Sequence, residues 1–199
     1  MKAFRIAVFC ALLSVTASGG QPPGDKKNDP QEKIEPRKSP GVGQKYLARF
    51  VGEWTVEKEF YSRQAGAAPT KTKGVVVQEM IHEGRFLRSE FTFESPTGKS
   101  TGTGLIGFEP DTGLFTSTWI DSRQTKMSCR QSKEPFDGKQ IVLHGVNFEG
   151  EKAGRKSKTV STIDADGRTF YHRQYGYNED GTERLVMQMK MTKKEPATK

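Results

Sequence analysis

Polar and apolar residues alternate along most of the chain from residue 43 onwards, and the alternation breaks at short groups of Gly, Pro, Asp and Asn. Alternation with a period of two is typical of β-strands that bury one face, and the interrupting residues are typical of turns. The clearest strand-like runs are residues 54–60, 86–93, 115–120 and 185–191. In the last run every odd position is apolar, so the pattern predicts one buried face.

The turns between these runs predict how the strands are connected. Pro and Gly, which favour the corner positions of tight turns, or Asp and Asn beside Gly, occur at residues 95–99, 109–113, 136–139, 164–167 and 178–181. Each group lies between two strand-like runs and therefore predicts a hairpin. A long meander with one apolar face must close or fold over to bury that face. We therefore predict an all-β fold: an antiparallel up-and-down β-barrel of about 8–10 strands, with a short N-terminal helix at 44–51 and a two-sheet sandwich as the alternative.

The first 19 residues have the pattern of a secretory signal peptide. Lys2 and Arg5 are followed by the apolar run 6–13, and Ala17 lies in a stretch of small residues. This order is typical of export signals, and the run is shorter than the ~20 apolar residues that a membrane-spanning helix needs. We therefore expect export to the periplasm or the extracellular space, with no transmembrane segment in the mature chain.

The rest of the chain divides into three segments. Residues 20–42 are rich in Pro and in charges of both signs, a composition that predicts a disordered linker. Residues 43–193 carry the strand pattern and predict the barrel domain, and residues 194–199 predict a flexible tail. Cys10 would leave with the signal peptide, so Cys129 would be the lone Cys and an internal disulfide is not expected.

Charge and glycine spacing exclude two classes of partner. The chain has 32 Lys and Arg against 24 Asp and Glu, a net charge of +8, but the basic residues are spread along it, which does not favour nucleic-acid binding. The segment Gly102-x-Gly104-x-x-Gly107 has the glycine spacing of a dinucleotide-binding motif, yet no helical pattern follows it. A dinucleotide site needs that helix, so we interpret the segment as a bent or bulged strand.

Candidate catalytic and metal-ligating residues are few. His82, His144 and His172 lie in different strand-like runs and lack the spacing of metal ligands. We therefore expect no metal site and no cofactor, and we assign no catalytic residue. An enzyme would need polar groups that converge in one pocket, and the groups to inspect for that purpose are His144, His172, Asp121 and Arg88.

Several segments together carry a family resemblance. Gly52-x-Trp54 follows the short helical segment, and the segments 84–87, 102–109, 119–122 and 180–183 occur in order after it. Together they resemble the exported bacterial family known as domain of unknown function 1579, from about Tyr46 to Thr192. The resemblance implies a barrel of the calycin or lipocalin type whose Trp closes one end, and it implies no chemistry.

A barrel of this size holds either packed side chains or one small ligand. We therefore expect an exported, lipocalin-like domain that binds a small apolar or amphipathic molecule, with Trp54 closing one end of the barrel. The residues expected at the ligand are Trp54, Leu87, Phe91, Trp119, Met187 and Met189. The alternative is a structural or interaction module of the cell envelope with a filled barrel and no ligand. The oligomeric state is left open.

Overall fold

The structure is a computed structural model that describes residues 38–64, 66–95, 98–146 and 156–195. The predicted signal peptide and residues 20–37 of the predicted linker lie outside the described residues, as does most of the predicted tail. The first element is a helix, α1 (Val42–Leu47), which continues into a 3₁₀ turn (Ala48–Phe50). No helix in the described ranges is long and apolar enough to cross a membrane.

Ten strands follow in the described part of the chain. They are β1 (Gly52–Phe60), β2 (Thr70–Ile81), β3 (Phe86–Ser95), β4 (Gly98–Glu109), β5 (Leu114–Asp121), β6 (Ser128–Gln131), β7 (Ile141–Val146), β8 (Ser157–Ile163), β9 (Thr169–Tyr177) and β10 (Glu183–Lys193).

The ten strands form one closed barrel. Every strand pairs antiparallel with its neighbours in sequence, and β1 pairs with β10, where Trp54 lies opposite Lys193 and Phe60 lies opposite Met187. The predicted antiparallel up-and-down barrel and its N-terminal helix are therefore confirmed, and the two-sheet sandwich is wrong. Closure satisfies the backbone hydrogen bonds of both edge strands, which an open sheet would leave unpaired.

Aromatic and aliphatic side chains close one end of the barrel, which we call the closed end. Trp54 and Leu47 are fully buried there, and Phe50 and Phe170 are nearly so. The Trp54 ring meets the Phe170 ring edge-on at 4.8 Å, and the Trp54 indole N–H donates to the Phe50 carbonyl at 2.9 Å. The single polar atom of the indole is thus satisfied, which permits complete burial of this large side chain.

Helix α1 is fixed against the barrel by Gln44. Its side-chain oxygen accepts from the Gly41 backbone N–H, and its side-chain amide donates to the Phe108 carbonyl, both at 2.7 Å. The helix also lies close to the Phe108 ring, because a Cβ on Gly43 would be 2.2 Å from that ring. The N-terminal segment therefore packs on β4 at the closed end.

The glycine-rich strand β4 is not bulged, which corrects the interpretation of its Gly spacing. Its register with β3 runs without a shift from Phe86 opposite Gly107 to Ser95 opposite Gly98. The glycines leave room for aromatic rings: a Cβ on Gly102 would clash with Trp119, and a Cβ on Gly107 would clash with Phe86. The spacing thus serves packing within a regular strand.

Candidate functional site

The barrel encloses a cavity of about 480 Å³. Ligand pockets in proteins occupy ~300–1,000 Å³, so the cavity can hold one small molecule. Its wall is mainly apolar, and of the six residues expected at a ligand five line it: Leu87, Phe91, Trp119, Met187 and Met189. Trp54 is the sixth, and it is not among the lining residues. It lies behind Phe50 and Phe170, in the closing position that the sequence predicted for it.

The cavity extends from the closed end to a mouth that we define by Phe60, Thr70 and Arg123. Phe50 and Phe170 bound it at the closed end, and the three mouth residues bound it at the other. The Phe60 side chain is half exposed and Thr70 is exposed, so this end reaches solvent. A ligand would therefore enter between β1, β2 and the turn after β5.

The indole of Trp119 is held in the cavity wall by a buried carboxylate. Its N–H donates to Asp121 at 3.0 Å, and the same carboxylate accepts from the backbone N–H of Arg123 at 2.8 Å and from its guanidinium at 3.1 Å. Partial burial acts to raise the pKa of Asp121, but the hydrogen bonds from Arg123 and Trp119 outweigh it and hold that pKa at about 2. Asp121 is therefore a charged anchor for Trp119 at neutral pH.

A second polar group in the wall is already satisfied by protein atoms. The Gln78 side chain donates to the Phe50 carbonyl at 3.0 Å and accepts from the Ser89 hydroxyl at 2.7 Å. Both side chains are buried. Because their hydrogen bonds are made within the wall, this pair fixes the position of β2 and β3 against the closed end and offers little to a ligand.

His172 is a neutral group in the cavity wall, on the side opposite Gln78 and Ser89. It lies opposite Met189 across β9 and β10, and its Nδ1 is 2.9 Å from the Ser161 hydroxyl. Burial, and secondarily the positive charge of Arg130, lowers the pKa of His172 to about 4. The imidazole is thus uncharged at neutral pH and acts as a hydrogen-bonding group rather than a cation.

Arg130 is a cation at the cavity that has no counterion among the described residues. It lies opposite Ser117 across β5 and β6, so it points inward with that residue, and it lines the cavity. Its Nε atom is buried and has no hydrogen-bond partner, and no carboxylate pairs with its guanidinium among the residues that the structure describes. Burial lowers the pKa of Arg130, an effect that the nearby Cys129 partly opposes.

Lys58 is a second inward-facing cation, nearer the mouth. Its ammonium lies 3.9 Å from the centre of the Phe93 ring, in a cation–π contact. Burial lowers the pKa of Lys58, as does the positive charge of Arg123, while Asp121 acts in the opposite direction. No described residue that lines the cavity is Asp or Glu. The described cavity wall is therefore apolar with an excess of positive charge.

The four groups inspected for catalysis do not converge. His172 lies in the cavity wall and Asp121 lies beside the mouth, whereas Arg88 is on the outer surface, paired with Glu79. His144 lines a separate depression outside the barrel, since Ile141 and Leu143 on the same strand face inward. Among the described residues, no three His, Cys, Asp or Glu side chains are placed to hold a metal ion.

Sequence reasoning missed Lys58 and Arg130. The signal for Lys58 was present, because it shares the parity of the inward residues Trp54, Val56 and Phe60. A cation on an otherwise apolar strand face is a mark of an interior site. Arg130 lies in a strand of four residues, and a run that short shows no periodicity from which its direction could be read.

No curated protein matches the chain. A family model described as Protein of unknown function (DUF1579) matches residues 39–193, which include every element described above. Since the match spans most of the sequence, the chain belongs to this family.

Proposed function

We propose that the barrel binds a small amphipathic molecule in its central cavity. The observation that carries this proposal is the cavity of about 480 Å³, with apolar walls and a few inward polar groups. Removal of apolar ligand surface from water stabilises a complex by roughly 25 cal/mol per Å², and the polar groups orient the ligand. The cavity also argues against the alternative of a structural envelope module, because that alternative requires a filled barrel.

Tryptophan fluorescence provides a test, because one of the two Trp residues lines the cavity and the other does not. Binding of a twelve-carbon ester, methyl dodecanoate, is expected to change the emission of the wild-type protein. The change should persist in Trp54→Phe and disappear in Trp119→Phe. No emission change and no heat of binding with this ester or with dodecanoate would contradict the proposed function.

A filled-cavity variant and a surface control locate the binding site. Ser117 faces the cavity, whereas its neighbour Thr116 is exposed on the outside of the same strand. Ser117→Phe places a ring in the cavity and is expected to abolish binding, and Thr116→Phe makes the same addition outside and should leave binding unchanged. Equal binding by the two variants would place the ligand elsewhere.

We propose further that the chain is exported and that residues 1–19 are removed in the process. The support is the pattern of Lys2 and Arg5 followed by an apolar run and Ala17. The test is fractionation of a bacterial host that expresses the full chain, with mass measurement of the recovered protein. A shortened protein outside the cytoplasm is expected, and full-length protein confined to the cytoplasm would contradict export.

A further inference from the structure

We infer that the ligand is an amphipathic monoanion whose oxyanion head group binds Arg130 inside the barrel, with its apolar tail against the Met and Phe side chains of the cavity wall. This inference rests on the proposed function of the cavity. It adds the charge, the orientation and the chemical class of the ligand.

The first support is the lack of a counterion for Arg130. A guanidinium is charged at any ordinary pH and has five N–H donors in a planar fork. In the described ranges its Nε is buried without a hydrogen-bond partner, and no carboxylate lies within ion-pair distance. A buried charge is costly unless it is paired, and an oxyanion offers the charge and the acceptor geometry that Arg130 lacks.

The second support is the sign of the other ionisable groups around the cavity. Lys58, Arg123 and Arg130 line the cavity as cations and His172 as a neutral imidazole, and none of the lining residues that the structure describes is acidic. The Asp121 carboxylate beside the mouth is already bound by Arg123 and Trp119. A cationic ligand would therefore be repelled by Lys58 and Arg130, whereas an anion would be attracted from the mouth inward.

The third support is that polar and apolar groups face the same cavity. Arg130 is on β6, and the Ser161 and His172 pair is on β8 and β9, where the Arg130 charge acts on the imidazole. Phe91 on β3 and Met187 on β10 present apolar surface to the same cavity. A molecule with one charged end and one apolar end can bind Arg130 and this apolar surface at once, whereas a small free anion or a neutral hydrocarbon can bind only one of them.

One deep cation indicates one charge on the ligand. Lys58 and Arg123 lie toward the mouth, and Arg123 is paired with Asp121, so Arg130 is the cation that a head group would reach inside the barrel. A carboxylate is the simplest oxyanion with a single charge, and it accepts two parallel hydrogen bonds from a guanidinium. A medium-chain carboxylate is therefore the probe of choice.

The experiment compares three probes by isothermal titration calorimetry on the full chain: dodecanoate, methyl dodecanoate and acetate. Dodecanoate has head group and tail, the methyl ester has the tail without the charge, and acetate has the charge without the tail. Charge-assisted hydrogen bonds typically change affinity by about 10-fold to 100-fold, so dodecanoate is expected to bind wild type at least about 10-fold more tightly than the ester. Acetate is expected to show no measurable binding.

Arg130→Met tests the residue, and Arg88→Met is the matched control. Arg88 is half exposed on the outside of the barrel and pairs with Glu79 and Glu90, so its replacement makes the same change in net charge without touching the cavity. Arg130→Met should lower the affinity for dodecanoate to that for the ester and leave the ester affinity within about twofold. Arg88→Met should change neither affinity.

The outcomes separate the inference from the proposed function. If wild type binds dodecanoate and its ester equally, the anionic head group is wrong and binding in the cavity stands. If wild type binds neither, the proposed function fails. If acetate binds as tightly as dodecanoate, or if Arg88→Met has the effect of Arg130→Met, the inference is overturned. The ratio of the wild-type affinities for dodecanoate and its methyl ester decides by itself whether the cavity prefers a charged head group. This readout remains even if Arg130→Met does not fold.

Discussion

The indole ring of Trp119 lies in the space next to Gly102 that a side chain would otherwise fill: a Cβ built on Gly102 would be 2.3 Å from Cζ2 of the ring. The two residues are on adjacent strands, β5 and β4, and the Asp121 carboxylate holds the indole N–H at the mouth side. Gly102 leaves room for the Trp119 ring, and Asp121 holds the indole N–H. Together they fix the position of Trp119 in the cavity wall.

Gly102→Ala should destabilise the barrel, because the new methyl group overlaps the Trp119 ring. Overpacking of this kind costs about 1–3 kcal/mol of the free energy of unfolding. Gly104→Ala is the matched control, since its Cβ would be 3.4 Å from the same ring, close to ordinary contact. Urea unfolding measures both, and near-ultraviolet circular dichroism reports the displacement of the indole. Equal stability of the two variants would contradict this account.

Asp121→Asn should remove an acid-sensitive contribution to stability. The folded pKa of Asp121 is about 2, below its ordinary 3.8, so its contribution is complete above pH 3.8 and is lost as the pH falls through 2. The variant should be less stable than wild type by about 1–3 kcal/mol near pH 5, and the gap should narrow near pH 2.5. Urea unfolding at the two pH values measures the gap, and a constant gap would be evidence against the prediction.

His172 should make the wild-type protein less stable in mild acid. Its folded pKa is about 4, below the ordinary 6.5, so the unfolded chain binds a proton that the folded chain excludes between these values. The free energy of unfolding should therefore decrease as the pH falls from 6.5 to about 4, by at most about 3 kcal/mol, and this contribution should not change below that pH.

The test replaces His172 with Gln, which can still form a hydrogen bond with Ser161 but does not titrate. The difference in stability between about pH 7.5 and about pH 4.5 should be smaller in His172→Gln than in wild type. The same pH dependence in both proteins would show that the acid sensitivity arises from other groups.

Gln78 and Ser89 should act as a coupled pair. Gln78→Leu leaves the Ser89 hydroxyl without its buried acceptor and removes one donor from the Phe50 carbonyl, at a cost of about 1–3 kcal/mol of the free energy of unfolding. Adding Ser89→Ala removes the unsatisfied hydroxyl, so the double variant should be more stable than the sum of the single effects predicts. Strict additivity would contradict a shared network.

The fold could be predicted from the sequence because the barrel repeats one local pattern, a strand of alternating polar and apolar residues followed by a tight turn. Strands such as β3 and β10 alternate clearly, and segments such as 178–181 carry residues that favour tight turns. Antiparallel pairing of neighbours then follows, and closure follows from the need to bury one face. Strand β6, with four residues, and the irregular register of β10 near Leu185 could not be derived this way, because they depend on contacts across the barrel.

The apolar part of the site was predicted from the sequence, whereas its cations were missed. Met187 and Met189 share a strand face, and an inward apolar face is also the cavity wall, so parity alone placed them. On β7, Val142 and His144 share one face with each other, and Ile141 and Leu143 are the residues that face inward. On a strand with apolar residues at both parities, only the tertiary structure decides which face is inside.

The pairing of the first and last strands determines which end of the barrel an attached surface or fusion partner would hold. Trp54 lies opposite Lys193, and the Lys193 ammonium is 5.2 Å from the centre of the Trp54 ring, so the chain enters and leaves the barrel beside the plugged base. Phe60, at the far end of β1, marks the opposite rim. A sensor surface or fusion partner attached directly before residue 39 or directly after residue 195 would therefore hold the barrel by its base, with the rim facing outward and free for ligand exchange.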